Sequence, residues 1–132
     1  MSGETDLRAL LKNMAPELSA EEYAFAAIRA EPREIARLEP WAIIREDEGT
    51  TIILETAKAK ANNVPFESSY KRITLRVHSS LDAVGLTAAV ATSLKDIGVS
   101  ANVVAGFYHD HVFVKSEDGE RAIAALKELA RR

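Results

Sequence analysis

The sequence contains no cysteine, no strongly basic region and no long apolar run. The absence of cysteine excludes disulfide frameworks, thiolate metal sites and cysteine nucleophiles. Residues 1–66 carry 8 basic and 12 acidic side chains, and residues 67–132 carry 9 and 8, so neither half has the basic surface typical of nucleic-acid binding. No apolar run approaches the ~18 residues needed to span a bilayer, and the N-terminus lacks the apolar core of a signal peptide. These absences predict a cytoplasmic protein without nucleic-acid or membrane partners.

The composition that is present is that of a globular protein. Hydrophobic residues make up 47% and charged residues 28% of the 132 residues, a balance that disordered chains do not have. The length suits one ordinary domain or two very small ones. A linker-like stretch, "NNVPFESS" at residues 62–69, predicts a division into two halves, 1–66 and 67–132.

The second half has a regular order of predicted elements. Residues 71–78 alternate strictly and predict a half-buried strand, whereas residues 79–98 carry apolar side chains at helical spacing and end at Gly98. Two further strands, in 99–108 and 111–115, precede a helix that the sequence "SEDG" can cap. This β-α-β-β-α order predicts an α+β fold, a ferredoxin-like two-layer sandwich that lacks its final strand.

The first half repeats this order less clearly. A short helix is predicted at 6–14, a hairpin from "WAIIRE" and "TTIIL", and a helix in "ETAKAKANN". The sequence of residues 19–32 is compatible with either a helix or a strand. The capping-box pair Ser19 and Glu22 favours a helix, while the aromatic and branched residues that follow suit a strand.

The stretch "GFYHDHVFV", residues 106–114, predicts a β-hairpin with a two-residue turn at His109-Asp110, which places Ala105 opposite Val114. Side chains on the two strands then alternate so that one face is almost wholly apolar and packs under the helices. That face consists of Val99, Ala101, Val103, Ala105, Phe107, Val112 and Val114. The other face, which includes His111 and Phe113, is mixed, and we expect another sheet or chain to cover it.

The three histidines of the chain are predicted to lie along one rim. In a ferredoxin-like sandwich the strand at 71–78 runs antiparallel beside the strand at 111–115, so His78 comes near His111 and the turn at His109. The alternation also puts His78 on the same side of the sheet as His111, together with the other even-numbered side chains of its strand, Arg72, Thr74 and Arg76. The rim is open to three interpretations: a polar hairpin tip, a ligand contact or a metal site.

The segments "HSSLDAVGLTAAVATSLKDIGVSANVV" and "HDHVFV" resemble the ACT domain, a small ligand-binding module of amino-acid metabolism. The whole chain is similar to small bacterial ACT-domain proteins of unassigned function, which pair a degenerate N-terminal ACT-like half with a C-terminal ACT domain. The resemblance implies tandem ACT-like halves with antiparallel sheets, divided as 1–66 and 67–132. It also favours a strand where "EYAFAAI" stands.

ACT domains typically bind a free amino acid at a domain interface, where the strand–helix loop presents backbone N–H groups to the ligand carboxylate. The resemblance therefore implies a ligand site built from Asp82, Ala83, Val84, Gly85, Leu86, Asn102 and Val103, with His78, His109 and His111 on its rim. The sequence departs from the family in two places. Val84 stands where many ACT loops have proline, and the last strand is missing, so a strand near 23–29 or a partner chain must cover that edge.

We therefore expect a non-enzymatic regulatory module, without a cofactor, that binds a small effector such as an amino acid and forms a homodimer. A second hypothesis is a metal-dependent enzyme that uses His78, His109 and His111 with Asp82 or Asp110. A third is a purely structural dimerisation module. The sequence contains no Ser-His-Asp spacing, phosphate loop or paired-carboxylate motif above background.

Overall fold

The computed structural model describes residues 7–76 and 85–132. The described elements are, in chain order, α1 (Leu7–Lys12), β1 (Pro16–Ile28), α2 (Pro32–Arg37), β2 (Ala42–Glu46), β3 (Gly49–Glu55), α3 (Thr56–Ala61), β4 (Tyr70–Leu75), α4 (Leu86–Asp96), β5 (Asn102–Ala105), β6 (Asp110–Lys115), a single 3-10 turn (Ser116–Asp118) and α5 (Gly119–Arg131). They fall into two compact units, which we call unit 1 (residues 1–19 and 71–132) and unit 2 (residues 20–70). No helix among the described residues is long and apolar enough to cross a bilayer.

Unit 2 is an antiparallel arrangement of strands in the order β2-β3-β1, backed by α2 and α3. Its core uses alternate residues of the strands, because successive side chains of a strand point to opposite faces. The buried residues of that core are Ala24, Ala26, Ile35, Leu38, Ile52, Leu54 and Ala59. The stretch that was open between helix and strand is therefore a strand, β1, and it begins earlier than expected, at Pro16.

Unit 1 contains the strand order β1-β4-β6-β5, to which β1 contributes its first residues. Helices α1, α4 and α5 pack together over one side of it. The buried residues of this core are Leu10, Met14, Ile73, Leu75, Leu86, Val90, Leu94, Val99, Val112, Val114, Ala122, Ile123, Leu126 and Leu129. The predicted apolar stripes of β4, α4 and α5 all contribute to it, so the ferredoxin-like α+β fold is confirmed.

The start of β1 covers the strand edge that the sequence leaves open. The backbone N–H of Arg72 donates to Ser19 Oγ at 3.0 Å, and Lys71 Nζ donates to the Ser19 carbonyl at 3.1 Å. In a ferredoxin-like sandwich this position belongs to the final strand, which the second half lacks. Within unit 1 the missing strand is thus replaced by residues that come before it in the chain.

The predicted register of the β5–β6 hairpin is wrong. Ala105 pairs with Asp110 and Val104 with His111, so the connection is the four-residue loop 106–109 rather than a two-residue turn. The Gly106 N–H donates to the His109 carbonyl at 2.9 Å and closes the loop. His-Asp lacks the Asn-Gly or Asp-Gly chemistry that two-residue turns favour, and the chain adopts the wider loop.

The register error leaves the two faces of the hairpin unchanged, because it amounts to an even number of residues. Val112 and Val114 are fully buried in the core of unit 1, as expected, and Phe113 is fully buried on the opposite side. The expectation that Val103, Ala105 and Phe107 pack under the helices is wrong, since Val103 and Ala105 are exposed on β5. Phe107 and Tyr108 lie in the loop, where 71% and 69% of their surface is exposed. The division of the sequence at residues 66 and 67 stays a prediction.

Candidate functional site

The N-terminus of α4 is the part of the expected ligand site that the structure describes. Gly85 is the residue before the helix and has φ of +101°, in the region that favours glycine over residues with a Cβ. Leu86, the first helical residue, is 2% exposed and anchors the turn in the core of unit 1. The side chain of Leu86 is therefore a packing group.

The first turn of α4 presents amide groups that have no acceptor within the helix. The first hydrogen bond of the helix runs from the Ala89 N–H to the Gly85 carbonyl, at 2.8 Å. The N–H groups of residues 86–88 precede this bond and have no acceptor within the helix. No side chain caps this end among the described residues, and Thr87 and Ala88 are exposed. Three parallel N–H donors at the positive end of a helix suit a carboxylate.

Gly85 also contacts α1, which the sequence did not predict. A Cβ placed on Gly85 would lie 3.2 Å from Leu7 Cδ2, closer than ordinary van der Waals contact. The glycine therefore serves the packing of α1 on unit 1 as well as its own positive φ. No periodicity in the sequence signals this contact, since Leu7 and Gly85 are far apart in the chain.

Asn102 and Val103 lie on β5, the edge strand of unit 1. Asn102 Nδ2 donates to the Phe113 carbonyl of β6 at 3.2 Å, which leaves its side-chain oxygen as an available acceptor. Val103 is 37% exposed. The outer side of an edge strand carries backbone groups without a ladder partner, so both residues lie where a further chain could dock.

His111 is a half-buried, hydrogen-bonded group. Its Nδ1 lies 3.1 Å from Oγ1 of Thr74, which is itself only 3% exposed. Burial first, and then the nearby positive charges of Arg72, His109 and Arg76, together lower the pKa of His111 from 6.5 to about 4. The ring is neutral at physiological pH. Thr74 and His111 share the sheet face predicted from the alternation of β4, although the bond itself was not foreseen.

His109 and Asp110 flank the start of β6. The Nδ1 atom of His109 is buried and has no hydrogen-bond partner in the described part of the chain. Burial raises the pKa of the Asp110 carboxyl, and the charge of His109 opposes this effect. Gly106 completes the group, with its Cβ position 3.7 Å from His111 Nε2. The structure thus brings His109, Asp110 and His111 together beside the hairpin loop.

The other predicted site residues, His78, Asp82, Ala83 and Val84, lie outside the described residues. The meeting of His78 with His111 is therefore untested and stays a prediction. Within residues 7–76 and 85–132, no three histidine or acidic side chains form a group that could hold a metal ion.

Comparison with protein families gives two matches: one ACT-domain model matches residues 2–71 and a second matches residues 67–128. The chain belongs to the ACT-domain family. No curated protein matches it. A solved structure from Vibrio cholerae, described as a protein of unknown function and possible transport protein, is 47% identical, with 94% of this chain and 95% of that one covered and a TM-score of 0.86.

Two more distant structures show the same fold. A protein from Agrobacterium tumefaciens is 22% identical over 83% of this chain and 81% of its own, with a TM-score of 0.65. The ligand-free regulatory subunit of aspartate kinase from Thermus thermophilus is 11% identical over 86% of this chain and 95% of its own, with a TM-score of 0.63. The tandem ACT architecture is therefore shared with regulatory subunits of a metabolic enzyme.

Proposed function

We propose that this ACT-domain protein is a non-enzymatic regulator that binds a free amino acid at the N-terminus of α4 and does so as a homodimer. The observation that supports the proposal most directly is the exposed first turn of α4, with Gly85 in a left-handed conformation and its following amide groups unpaired within the helix. The same loop carries the ligand in the family that the chain belongs to. The carboxylate of the amino acid accepts from the N–H groups of residues 86–88.

The ammonium group of the ligand needs an acceptor, and Asn102 supplies one. Its side-chain nitrogen already donates a hydrogen bond to the Phe113 carbonyl, so its side-chain oxygen remains available as an acceptor. Asn102 lies on the edge strand β5, and β6 separates β5 from β4, the strand that precedes α4. Two strand spacings amount to about 10 Å, so within one copy the amide groups of α4 are separated from the side chain of Asn102. A second copy that docks along β5 would bring the two groups to one ligand, and this is the reason that we propose a homodimer.

The neutral state of His111 supports a regulatory rather than a catalytic role. A general base works best with a pKa near the operating pH, and His111 has a pKa of about 4 and is bonded to Thr74. Such a ring holds the hairpin loop in place and accepts or donates one fixed hydrogen bond. Residues of this kind position a binding surface without transferring protons.

A thermal-shift screen of the amino acids tests the proposal. A ligand that binds only the folded protein raises the free energy of unfolding by about 2.7 kcal/mol when the ligand is present at 100 times its dissociation constant. The midpoint of thermal unfolding then rises. We expect one chemical class of amino acid to stabilise the protein. The corresponding amine without a carboxylate serves as the control ligand and is expected to give no shift.

A pair of substitutions at Ala88 locates the site. Ala88 is exposed in the first turn, so Ala88→Glu adds a negative charge that the helix dipole favours, by about 0.3–1 kcal/mol of stability. The same charge, about 7 Å from a bound carboxylate, opposes binding by roughly 0.6–2.4 kcal/mol for effective dielectric constants of 80 to 20. We therefore expect Ala88→Glu to keep or raise the thermal unfolding midpoint while weakening the binding of the amino acid at least ~3-fold. Ala88→Gln, which has the same shape and no charge, should bind normally, and equal affinity of all three proteins would contradict the proposal.

A further inference from the structure

Unit 2 contains a cavity that has no part in the amino-acid site. Its volume is about 460 Å³, and eight residues of unit 2 line it: Phe25, Ala26, Ala27, Pro65, Phe66, Glu67, Ser68 and Tyr70. One wall is β1, and the other is the segment that leads from α3 into β4. A volume of this size accommodates a small organic molecule.

Three of the eight residues that line the cavity are aromatic. The rings of Phe25 and Tyr70 lie 5.0 Å apart at 67°, an edge-to-face arrangement that fixes their mutual orientation. Phe66 packs against the core of unit 2 and is only partly buried, so its remaining surface is available to the cavity. Three aromatic side chains around one space resemble the surfaces that attract organic cations through the negative face of each ring.

The charge at the cavity has one sign. Glu67 is the single charged residue among the eight that line it, and it forms no ion pair with any described residue. The basic side chain nearest in sequence to the β1 wall, Arg29, donates to the Glu48 carbonyl at 2.9 Å. Residues 20–70 carry 10 acidic and 6 basic side chains, which adds a negative background. Among the eight lining residues, a cation in this cavity therefore meets three aromatic side chains, one carboxylate and no lysine or arginine.

We propose that this cavity is a second ligand site, specific for a small alkylammonium ion, with the alkyl part between Phe25, Phe66 and Tyr70 and the ammonium against Glu67. The ammonium can also donate to the Ser68 hydroxyl, which lines the same space. The site requires no carboxylate on the ligand. It therefore goes beyond amino-acid binding at α4 and is built from residues of unit 2 alone.

Titration with n-butylammonium, followed by ¹H–¹⁵N correlation spectra, tests the site. We expect saturable shifts in the amides of residues 25–27 and 66–70, and weaker binding at higher salt because part of the attraction is electrostatic. n-Butanol has nearly the same length and no charge, and we expect it to give no saturable shifts at these amides. Equal responses to both probes, or no saturable shift with either up to 100 mM ligand, would overturn the proposal.

Matched substitutions separate the site from a general effect of charge. Glu67 is exposed, so Glu67→Gln should fold normally, and we expect it to weaken the binding of n-butylammonium by about 1.5- to 5-fold, as the loss of an exposed ion pair does. Glu48→Gln removes the same charge outside the cavity and should leave the affinity unchanged. An unchanged affinity in Glu67→Gln, or equal losses in both variants, would refute the assignment. Because n-butylammonium lacks a carboxylate and its binding is detected at amides of unit 2, a negative result here does not affect the amino-acid proposal. A negative result for amino-acid binding at α4 likewise does not affect the proposal for this cavity.

Discussion

Acidification should destabilise the protein through His111. The folded state lowers the pKa of His111 from 6.5 to about 4, first by burial and then by the charges of Arg72, His109 and Arg76. The folded protein therefore favours the neutral ring, while the unfolded chain takes up a proton below about pH 6.5. Stability contributed by this group is complete above pH 6.5 and is lost as the pH falls towards 4.

The magnitude follows from the two pKa values. For a pKa of 6.5 unfolded and about 4 folded, the loss between pH 7.5 and pH 5 is about 2 kcal/mol if the ring is fully shielded. His111 is only half-buried, and screening by solvent reduces this value to about 1 kcal/mol. The raised pKa of the Asp110 carboxyl acts in the opposite direction, because protonating that group at low pH removes an unfavourable buried charge.

Urea unfolding at pH 7.5 and pH 5.0 measures the effect, with His111→Asn as the matched variant. Asparagine places a hydrogen-bonding atom near the position of Nδ1, keeps the contact to Thr74 and does not titrate. Asp110 and the other histidines are present in both proteins, so the difference between them isolates His111. We expect the wild type to lose about 1 kcal/mol more than the variant over this range. Equal losses, or a ring that titrates near pH 6.5 by NMR in the folded protein, would refute this reasoning.

Four further substitutions test the packing of unit 1. Gly106→Ala should cost about 1–3 kcal/mol, measured by urea unfolding, because its Cβ would lie 2.9 Å from the His109 carbonyl oxygen; no cost would mean that the loop is not closed as described. Thr74→Val should cost about 1–3 kcal/mol at pH 7.5 by removing the hydroxyl that bonds His111 Nδ1, and a neutral result would argue against that hydrogen bond. Leu126→Ala in the fully buried core of unit 1 should cost about 2–5 kcal/mol, whereas Val103→Ala on the exposed edge strand should cost clearly less, and similar losses would contradict the burial of the two sites.

The elements of the fold followed from local patterns, whereas the positions where distant segments meet did not. The alternation of residues 71–75 and the stripe of Leu86, Val90 and Leu94 identified a strand and a helix and the sides that they bury. The contact of Leu7 with Gly85 joins residues nearly eighty positions apart. No period or spacing in the sequence encodes it, because it depends on how α1 packs in three dimensions.

The hairpin shows where sequence reasoning succeeded and where it failed. Period-two alternation assigned Val112 and His111 to opposite faces, and any even change of register preserves that assignment. The loop length was wrong because an unfavourable two-residue turn competes with a four-residue loop that gains the hydrogen bond from Gly106 to His109. Turn chemistry decides such a case, and His-Asp carries a weak signal.

The sequence predicted that the open strand edge must be covered, but not which segment covers it. The absence of a final strand indicated that some segment must lie beside β4, and two candidates were open. The structure assigns the position to the first residues of β1, through the bonds of Ser19 to Arg72 and Lys71, whereas residues 23–28, the expected part of that strand, pair with β3 instead. Strand pairing across about fifty residues is fixed by the tertiary fold, so sequence patterns name the candidates without choosing between them.

The central claim is that an amino acid binds at the first turn of α4, and a ¹H–¹⁵N titration of the intact protein with each amino acid tests it most directly. The account predicts that at least one amino acid shifts the amides of Gly85, Leu86, Thr87 and Ala88 saturably, with a dissociation constant of about 1 mM or lower. If none of the amino acids shifts these amides at roughly 10 mM, or if the shifts fall only on other parts of the chain, the claim is contradicted.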